Sequence, residues 1–186
     1  MDKIRLGGTK LEVSRLCFGT EPFTLKKGPI GRKSQGDRSP EEGGEILSDA
    51  LGLGVNFWDT SDDYLSHPHV AEGLKMVNRR DVIITDKSNA HTYEEGKEAV
   101  QKALRELGTH YVDIMMLHIV PFETHFRQDA AKRRYESGNL SRRMGALRAY
   151  CEARDSGLVE AVGLSTHSTE VLKQVLDVPE IEVVLT

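Results

Sequence analysis

Four side chains of different chemical types follow apolar segments of the chain. Asp59 ends the run VNFWD, Tyr64 lies five residues further on, Lys87 follows the apolar residues 82–84, and His118 follows the segment 111–117. A carboxylate, a phenol, an ammonium and an imidazole are groups that transfer protons and stabilise developing charge. Each alone also has a structural explanation, as a cap, a solvated charge or a hydrogen-bonded ring. Their joint occurrence at segment ends is harder to explain by packing, because each needs a partner when buried.

The elements that would position these groups alternate between strand-length and helical patterns. Strands are predicted near residues 16, 57, 83, 115, 162 and 183, and helices begin at Ser39, near Pro68, at Thr92, near Met144 and at Ser168. Ser39 and Thr92 each precede a glutamate by three residues, which is the pattern of a capping box. Alternating strands and helices predict parallel pairing with right-handed crossovers, in a doubly wound sheet or a (β/α) barrel. In both folds the carboxyl ends of the strands carry the chemistry, so the four groups should converge on one rim.

A small hairpin is expected in front of the first core strand. Residues 4–6 and 11–13 alternate in hydrophobicity around Gly7 and Gly8. Two adjacent glycines supply the backbone freedom that a tight turn requires.

Composition and charge limit the class of protein. The 186 residues are 38% hydrophobic and 29% charged, with two cysteines and a net charge of −4. These values predict one globular domain over residues 1–186, and they argue against a nucleic-acid partner because such proteins are normally basic. No apolar run is long enough for a membrane span and the N-terminus is charged, so we expect a cytoplasmic protein without membrane contact. Cys17 and Cys151 lie far apart without a CxxC motif, which gives no sign of a metal or redox site.

Several of these segments resemble the motifs of the aldo-keto reductases, in the family's order. They are GVNFWDTSDDY at residues 54–64, EGL at 72–74, IITDK at 83–87, YVDIMMLH at 111–118 and GLS at 163–165. The resemblance covers nearly the whole chain. It implies a TIM-type (β/α) barrel and the reduction of an aldehyde or ketone by NADPH or NADH. No GxGxxG motif follows a predicted strand, so the sequence gives no support to a Rossmann fold.

The resemblance implies a catalytic role for each of the four groups. Tyr64 is the expected proton donor, and a neighbouring ammonium makes a phenol a stronger acid. Lys87 would supply that ammonium, and Asp59 would hold Lys87 in place. His118 would donate a hydrogen bond to the carbonyl oxygen of the substrate.

The resemblance also implies contacts to the cofactor. Ser165 is expected at the nicotinamide carboxamide, with Thr166 beside it where the family frequently has asparagine. Gly19 and Thr20 match a segment that approaches the cofactor ribose, and Asp59 is counted among the cofactor contacts as well.

Six strands are fewer than the eight of a complete barrel, which typically takes about 250 residues. We therefore expect an incomplete barrel of about six βα units. The family's last two units carry the aromatic residue that stacks on the nicotinamide and the cofactor's phosphate contacts. A catalytically silent binding or regulatory protein, or an inactive fragment, is the alternative to an active reductase. An uncovered sixth strand would favour self-association.

Three other patterns receive structural explanations. Residues 28–34 (GPIGRKS) lack the spacing of a phosphate-binding loop and are interpreted as a solvated loop. His67 and His69 lack a third ligand at a suitable spacing, so no metal site is expected. The basic residues between 127 and 154 are interpreted as a solvated loop and helix face, with a patch for a partner or for an anionic substrate as the alternative.

Overall fold

A two-stranded antiparallel hairpin begins the fold in the computed structural model, which describes residues 1–24, 38–120 and 140–186. Strand β1 (Lys3–Arg5) pairs with β2 (Glu12–Ser14). The turn uses Gly7 at φ +53°, in the left-handed region that glycine adopts without strain. Leu11 packs against residues on the concave face of the main sheet, including Ile114 and Met116. The predicted hairpin is therefore confirmed, and the residues beside it pack against the main sheet.

Six parallel strands form the main sheet of the described residues. They are β3 (Cys17–Gly19), β4 (Phe57–Asp59), β5 (Ile83–Ser88), β6 (Val112–Leu117), β7 (Val159–Ser165) and β8 (Val183–Leu185). Their spatial order β3-β4-β5-β6-β7-β8 follows the chain without reversal. A doubly wound sheet reverses its strand order at a switch point, whereas a barrel adds each strand beside the last. The order thus confirms the barrel alternative, as a curled half-barrel with β3 and β8 at its edges.

Five α-helices of the described residues cover the convex face of the sheet. They are α1 (Pro40–Gly52), α2 (His67–Met76), α3 (Tyr93–Leu107), α4 (Met144–Asp155) and α5 (Thr169–Val175). Both predicted capping boxes are present, at Ser39 with Glu42 and at Thr92 with Glu95. Trp58 belongs to one buried cluster, together with residues of α1, α2 and α3. None of the described helices has the length and apolar character of a membrane span.

Helices α3 and α4 approach so closely that glycine is required at position 96. A Cβ added to Gly96 would lie 2.9 Å from the Cα of Ala146 and 2.9 Å from the Cβ of Ala149. Real Cβ atoms are not found at such distances from backbone, so the two helices could not keep this separation with alanine at position 96.

His67 of α2 is held between two carboxylates. His67 Nε2 lies 3.1 Å from Asp86 Oδ1 on β5, and Nδ1 lies 2.7 Å from Glu106 Oε2 on α3. The Nε2 atom of His69 donates to the carbonyl of Arg38 at 3.0 Å. No cluster of potential metal ligands occurs among the residues that the structure describes. His67 thus joins α2, β5 and α3.

Two sequence interpretations fall partly or wholly outside the described residues. The segment 28–34 lies outside them, as does the part of the basic stretch before Leu140. The predicted self-association through β8 stays a prediction.

Replacing Gly96 by alanine should destabilise the fold by about 1–3 kcal/mol, because helices α3 and α4 must move apart or distort. Urea unfolding of the purified variant measures this loss. Gly52 is a matched control, since an added Cβ at this helical glycine meets nothing within 4 Å. Its alanine variant should keep the stability of the parent or gain up to about 1 kcal/mol. Equal stability of the two variants would contradict the close packing.

The stability of the protein should fall as pH rises through the titration of His67. Burial alone would lower the pKa of His67, but the hydrogen bonds and charges of Asp86 and Glu106 outweigh it and raise this pKa. The native state then binds a proton more tightly than the unfolded state, whose histidine titrates near pH ~6.5. The contribution is complete below that pH and is lost as pH rises through the higher native pKa.

Urea unfolding across a pH series, compared with His67→Gln, tests this dependence. The variant should lose the decline in stability above about pH 6.5. Glu106→Gln removes the more exposed of the two carboxylates. This variant should reduce the decline in stability with pH by less than His67→Gln does. Parallel pH profiles for the parent protein and His67→Gln would contradict the assignment.

Candidate active site

The carboxyl ends of four neighbouring strands meet at one side of the half-barrel. Asp59 ends β4, Lys87 lies near the end of β5, His118 directly follows β6 and Ser165 ends β7. A cavity of about 580 Å³ opens here, within the usual range for small-molecule sites. The wall of this cavity includes Tyr64, Lys87, His118, Ser165 and Thr166, whereas Asp59 and Thr20 do not line it. The structure thus brings the four predicted groups to one rim.

Lys87 is fully buried, and its charge is compensated by two oxygens. Its Nζ atom donates to Asp59 Oδ1 at 2.5 Å and to the carbonyl of Thr60 at 2.7 Å. Burial raises the pKa of Asp59, and the Lys87 ammonium opposes this effect. Because an unpaired buried charge costs several kcal/mol, the ammonium depends on these partners.

The ring of Tyr64 lies between the ammonium and the imidazole. Lys87 Nζ is 4.8 Å from the centre of the Tyr64 ring. The Tyr64 and His118 rings meet edge to face, with centroids 5.5 Å apart and planes at 81°. Thr24 donates its hydroxyl proton to the carbonyl of Tyr64 and so fixes the backbone of this loop. The Tyr64 ring therefore contacts both Lys87 and His118.

Strained backbone follows both Tyr64 and His118. Leu65 has φ +58° and Ile119 has φ +46°. A positive φ is unfavourable for any residue with a side chain and most of all for a β-branched one such as Ile119. The surrounding hydrogen bonds must hold these conformations, and Ile119 N donates to Ser165 Oγ at 2.7 Å. The strained residues thus directly follow Tyr64 and His118, two residues that line the cavity.

A buried arginine fixes the turn after His118. The guanidinium of Arg143 donates to the carbonyls of Ala90 at 2.9 Å, His118 at 2.6 Å and Ser88 at 2.8 Å. Burial lowers the pKa of Arg143 to about 10, so it stays charged at neutral pH. This finding corrects the interpretation of Arg143 as part of a solvated face, because the side chain is only 1% exposed. Nothing in the local sequence distinguishes it from the exposed Arg142.

Two further residues contact His118 that the sequence analysis did not single out. His118 Nδ1 lies 3.0 Å from Ser61 Oγ and 3.3 Å from Asp63 Oδ1. Ser61 also donates to Asp63 Oδ1 at 2.7 Å. Both lie within the segment 54–64, and the signal that could have found them is a polar side chain close to Tyr64 in the sequence.

The residues expected at the cofactor differ in whether their polar groups are already used by other parts of the protein. Ser165 accepts from Ile119 N, and its hydroxyl proton has no acceptor among the described residues. Gly19 has open space where a Cβ would be. By contrast, the Thr20 hydroxyl bonds to the carbonyl of Asp59 at 2.9 Å and to Ser66 Oγ at 2.7 Å. Thr166 donates to the carbonyl of Val120 at 2.6 Å. Ser165 and Gly19 can thus face a ligand, whereas the two threonine hydroxyls serve the protein itself.

Comparison with known proteins supports the family suggested by these motifs. A sequence profile described as the Aldo/keto reductase family matches residues 15–186. L-galactose dehydrogenase of Arabidopsis thaliana is 32% identical over 130 residues, covering 63% of this chain and 38% of that protein. The NAD(P)H-dependent D-xylose reductase of Pachysolen tannophilus is 27% identical over 180 residues, covering 86% of this chain and 56% of that protein.

Solved structures share the fold. The holo form of aldo-keto reductase AKR11C1 from Bacillus halodurans superposes with a TM-score of 0.74 at 24% identity, over 99% of this chain and 56% of that one. A Bombyx mori aldo-keto reductase in complex with NADP gives a TM-score of 0.69 at 18% identity, over 94% of this chain and 53% of that one. The chain thus spans about half the length of these proteins. With its motifs, strand order and profile match in agreement, the chain belongs to the aldo/keto reductase family.

Proposed function

We propose that this chain carries the reducing centre of an NAD(P)H-dependent enzyme that converts an aldehyde or ketone to an alcohol. The observation that carries the proposal is the contact of the Tyr64 ring with a fully buried ammonium, that of Lys87, which Asp59 holds in place. Relatives described as NAD(P)H-dependent D-xylose reductase and NADPH-dependent aldose reductase support this chemistry.

Tyr64 is the proton donor in this proposal. When bound, the reduced nicotinamide supplies a hydride to the carbonyl carbon, and negative charge develops on the carbonyl oxygen. Tyr64 gives its hydroxyl proton to that oxygen, so hydride and proton together complete the alcohol. The Lys87 ammonium stabilises the tyrosinate that remains, because an adjacent positive charge favours the anionic form of a phenol.

Lys87 can have this effect because Asp59 and the carbonyl of Thr60 hold Nζ in place. A fixed charge in a site shielded from water acts more strongly than a mobile one in solvent. Asp59 is therefore a positioning residue in this proposal. The acidity of Tyr64 depends on Asp59 indirectly, through Lys87.

Of the four residues expected to contact only the cofactor, Ser165 and Gly19 are the two that fit it directly. The hydroxyl proton of Ser165 suits the oxygen of a carboxamide, and a glycine allows a sugar or phosphate group to approach the backbone. Thr166 and Thr20 would contribute by holding the loops behind the site, since their hydroxyls are engaged with Val120, Asp59 and Ser66.

Replacing Tyr64 by phenylalanine should remove the proton donor and leave cofactor binding nearly unchanged. We expect kcat for the reduction of 4-nitrobenzaldehyde or D-xylose to fall by about 10²–10⁴-fold, the usual contribution of a positioned general acid. The loss of NADPH absorbance measures the rate, and quenching of intrinsic protein fluorescence measures the dissociation constant for NADPH.

Tyr93→Phe is the matched control, because its hydroxyl bonds to Glu152 on the outer surface of the helices. This variant should keep the parental rate. Equal loss of NADPH binding and reduction in Tyr64→Phe would indicate a structural residue. Binding of NADPH without reduction by the parent chain would favour the silent binding protein instead.

A further inference from the structure

The Nδ1 side of His118 is bound to the protein, and the ring also forms part of the cavity wall. Nδ1 contacts Ser61 Oγ at 3.0 Å and Asp63 Oδ1 at 3.3 Å, and the ring is almost fully buried. Within residues 1–24, 38–120 and 140–186, no hydrogen bond uses Nε2. Since His118 also lines the cavity, Nε2 is the ring nitrogen available to a ligand.

The position of the proton on this ring follows from the hydroxyl of Ser61. A hydroxyl carries one proton. Ser61 Oγ lies 2.7 Å from Asp63 Oδ1 and 3.0 Å from the carbonyl of Lys87, and both of these oxygens only accept. The carboxylate of Asp63 is the nearer acceptor, so the Ser61 hydroxyl donates its proton to it and none remains for His118. Nδ1 must then carry a proton of its own and donate it to Ser61 or Asp63.

A neutral imidazole carries only one proton, so Nε2 then has a free lone pair. In that state His118 accepts a hydrogen bond, which suits the hydroxyl of an alcohol. A carbonyl oxygen offers no proton and needs a donor. His118 can donate at Nε2 only after it takes up a second proton and becomes positively charged.

The charges around His118 come from several elements. Asp63 lies in the loop after β4 and Asp59 at the end of that strand, while Lys87 belongs to β5 and Arg143 precedes α4. Asp59 is paired with Lys87, and Arg143 is bound to three carbonyls. Among these groups Asp63 is the one with an oxygen within 4 Å of the imidazole ring nitrogens.

We propose that Ser61 and Asp63 act as a positioning pair that fixes the proton of His118 at Nδ1 and presents Nε2 to the cavity. His118 is then an acceptor when neutral and a donor to a carbonyl only as an imidazolium, whose charge Asp63 offsets. The placement of the proton stands independently, whereas its use in carbonyl reduction rests on the function proposed above.

Nitrogen-15 NMR of the protein labelled at histidine reads the proton position directly, without cofactor or substrate. The two ring nitrogens differ in chemical shift according to which one is protonated. The chain has seven histidines, so His118→Gln identifies the signals of interest. At about pH 8.5, where an ordinary histidine is neutral, we expect His118 to be protonated at Nδ1. A neutral ring protonated at Nε2 in the parent protein would overturn the proposal.

Asp63→Ala tests whether the carboxylate fixes that proton. Without it, the carbonyl of Lys87 and Nδ1 of His118, each 3.0 Å from Ser61 Oγ, compete for the Ser61 proton, and a population protonated at Nε2 should appear. Glu21→Ala is the matched control, since Glu21 also lines the cavity and does not contact His118 in the described part of the chain. The His118 spectrum of this variant should match the parent's. A parental His118 spectrum in Asp63→Ala would overturn the role of Asp63.

Asp63→Asn separates the shape of the side chain from its charge and guards against misfolding of the alanine variant. The amide oxygen still accepts from Ser61, so we expect Nδ1 to remain protonated. The positive ring loses its counter-charge, so kcat for carbonyl reduction should fall by about tenfold with little change in KM. An unchanged kcat in Asp63→Asn would overturn the charge-offsetting role. Parental NMR results in a chain without reductase activity would locate the failure in the proposed function instead.

Discussion

The buried ammonium of Lys87 is the constraint on which the rim depends. A lysine with no exposed surface needs compensation, and its partners must come from a neighbouring strand because its own strand is extended. The register of β4 and β5 places Asp59 opposite Thr85, two residues before Lys87. A one-residue slip would turn Asp59 to the other face of the sheet and leave the ammonium unpaired. The charge therefore favours this register of the two strands.

The strained turns beside Tyr64 and His118 also depend on contacts between strands. Leu65 and Ile119 occupy left-handed conformations that their side chains disfavour. Around Ile119, the hydrogen bonds of Ser165 and the three bonds of Arg143 join the ends of β5, β6 and β7 into one network. Strain persists only where its surroundings impose it, so the rigidity of the rim is a property of several strands together.

Much of the fold could be predicted because its signals are local. The capping boxes at Ser39 and Thr92, the left-handed Gly108 after α3 and the hairpin around Gly7 each depend on a few adjacent residues. Arg143 was misjudged because its burial depends on three carbonyls from residues 25 to 55 positions away. The hydroxyls of Thr20 and Thr166 could not be assigned either, because their partners lie on other strands and loops.

By itself, the sequence determined the alternation of strands and helices, the residue types at the strand ends and the likeness to a family of reductases. These follow from periodicity, turn chemistry and motif spacing, which are encoded over short distances. Only the tertiary structure decided that the strands add in chain order, that Lys87 is buried against Asp59, and that Ser61 and Asp63 hold His118 at Nδ1. The reason is that hydrogen-bond partners and the location of protons depend on distances of a few ångströms between residues far apart in the chain.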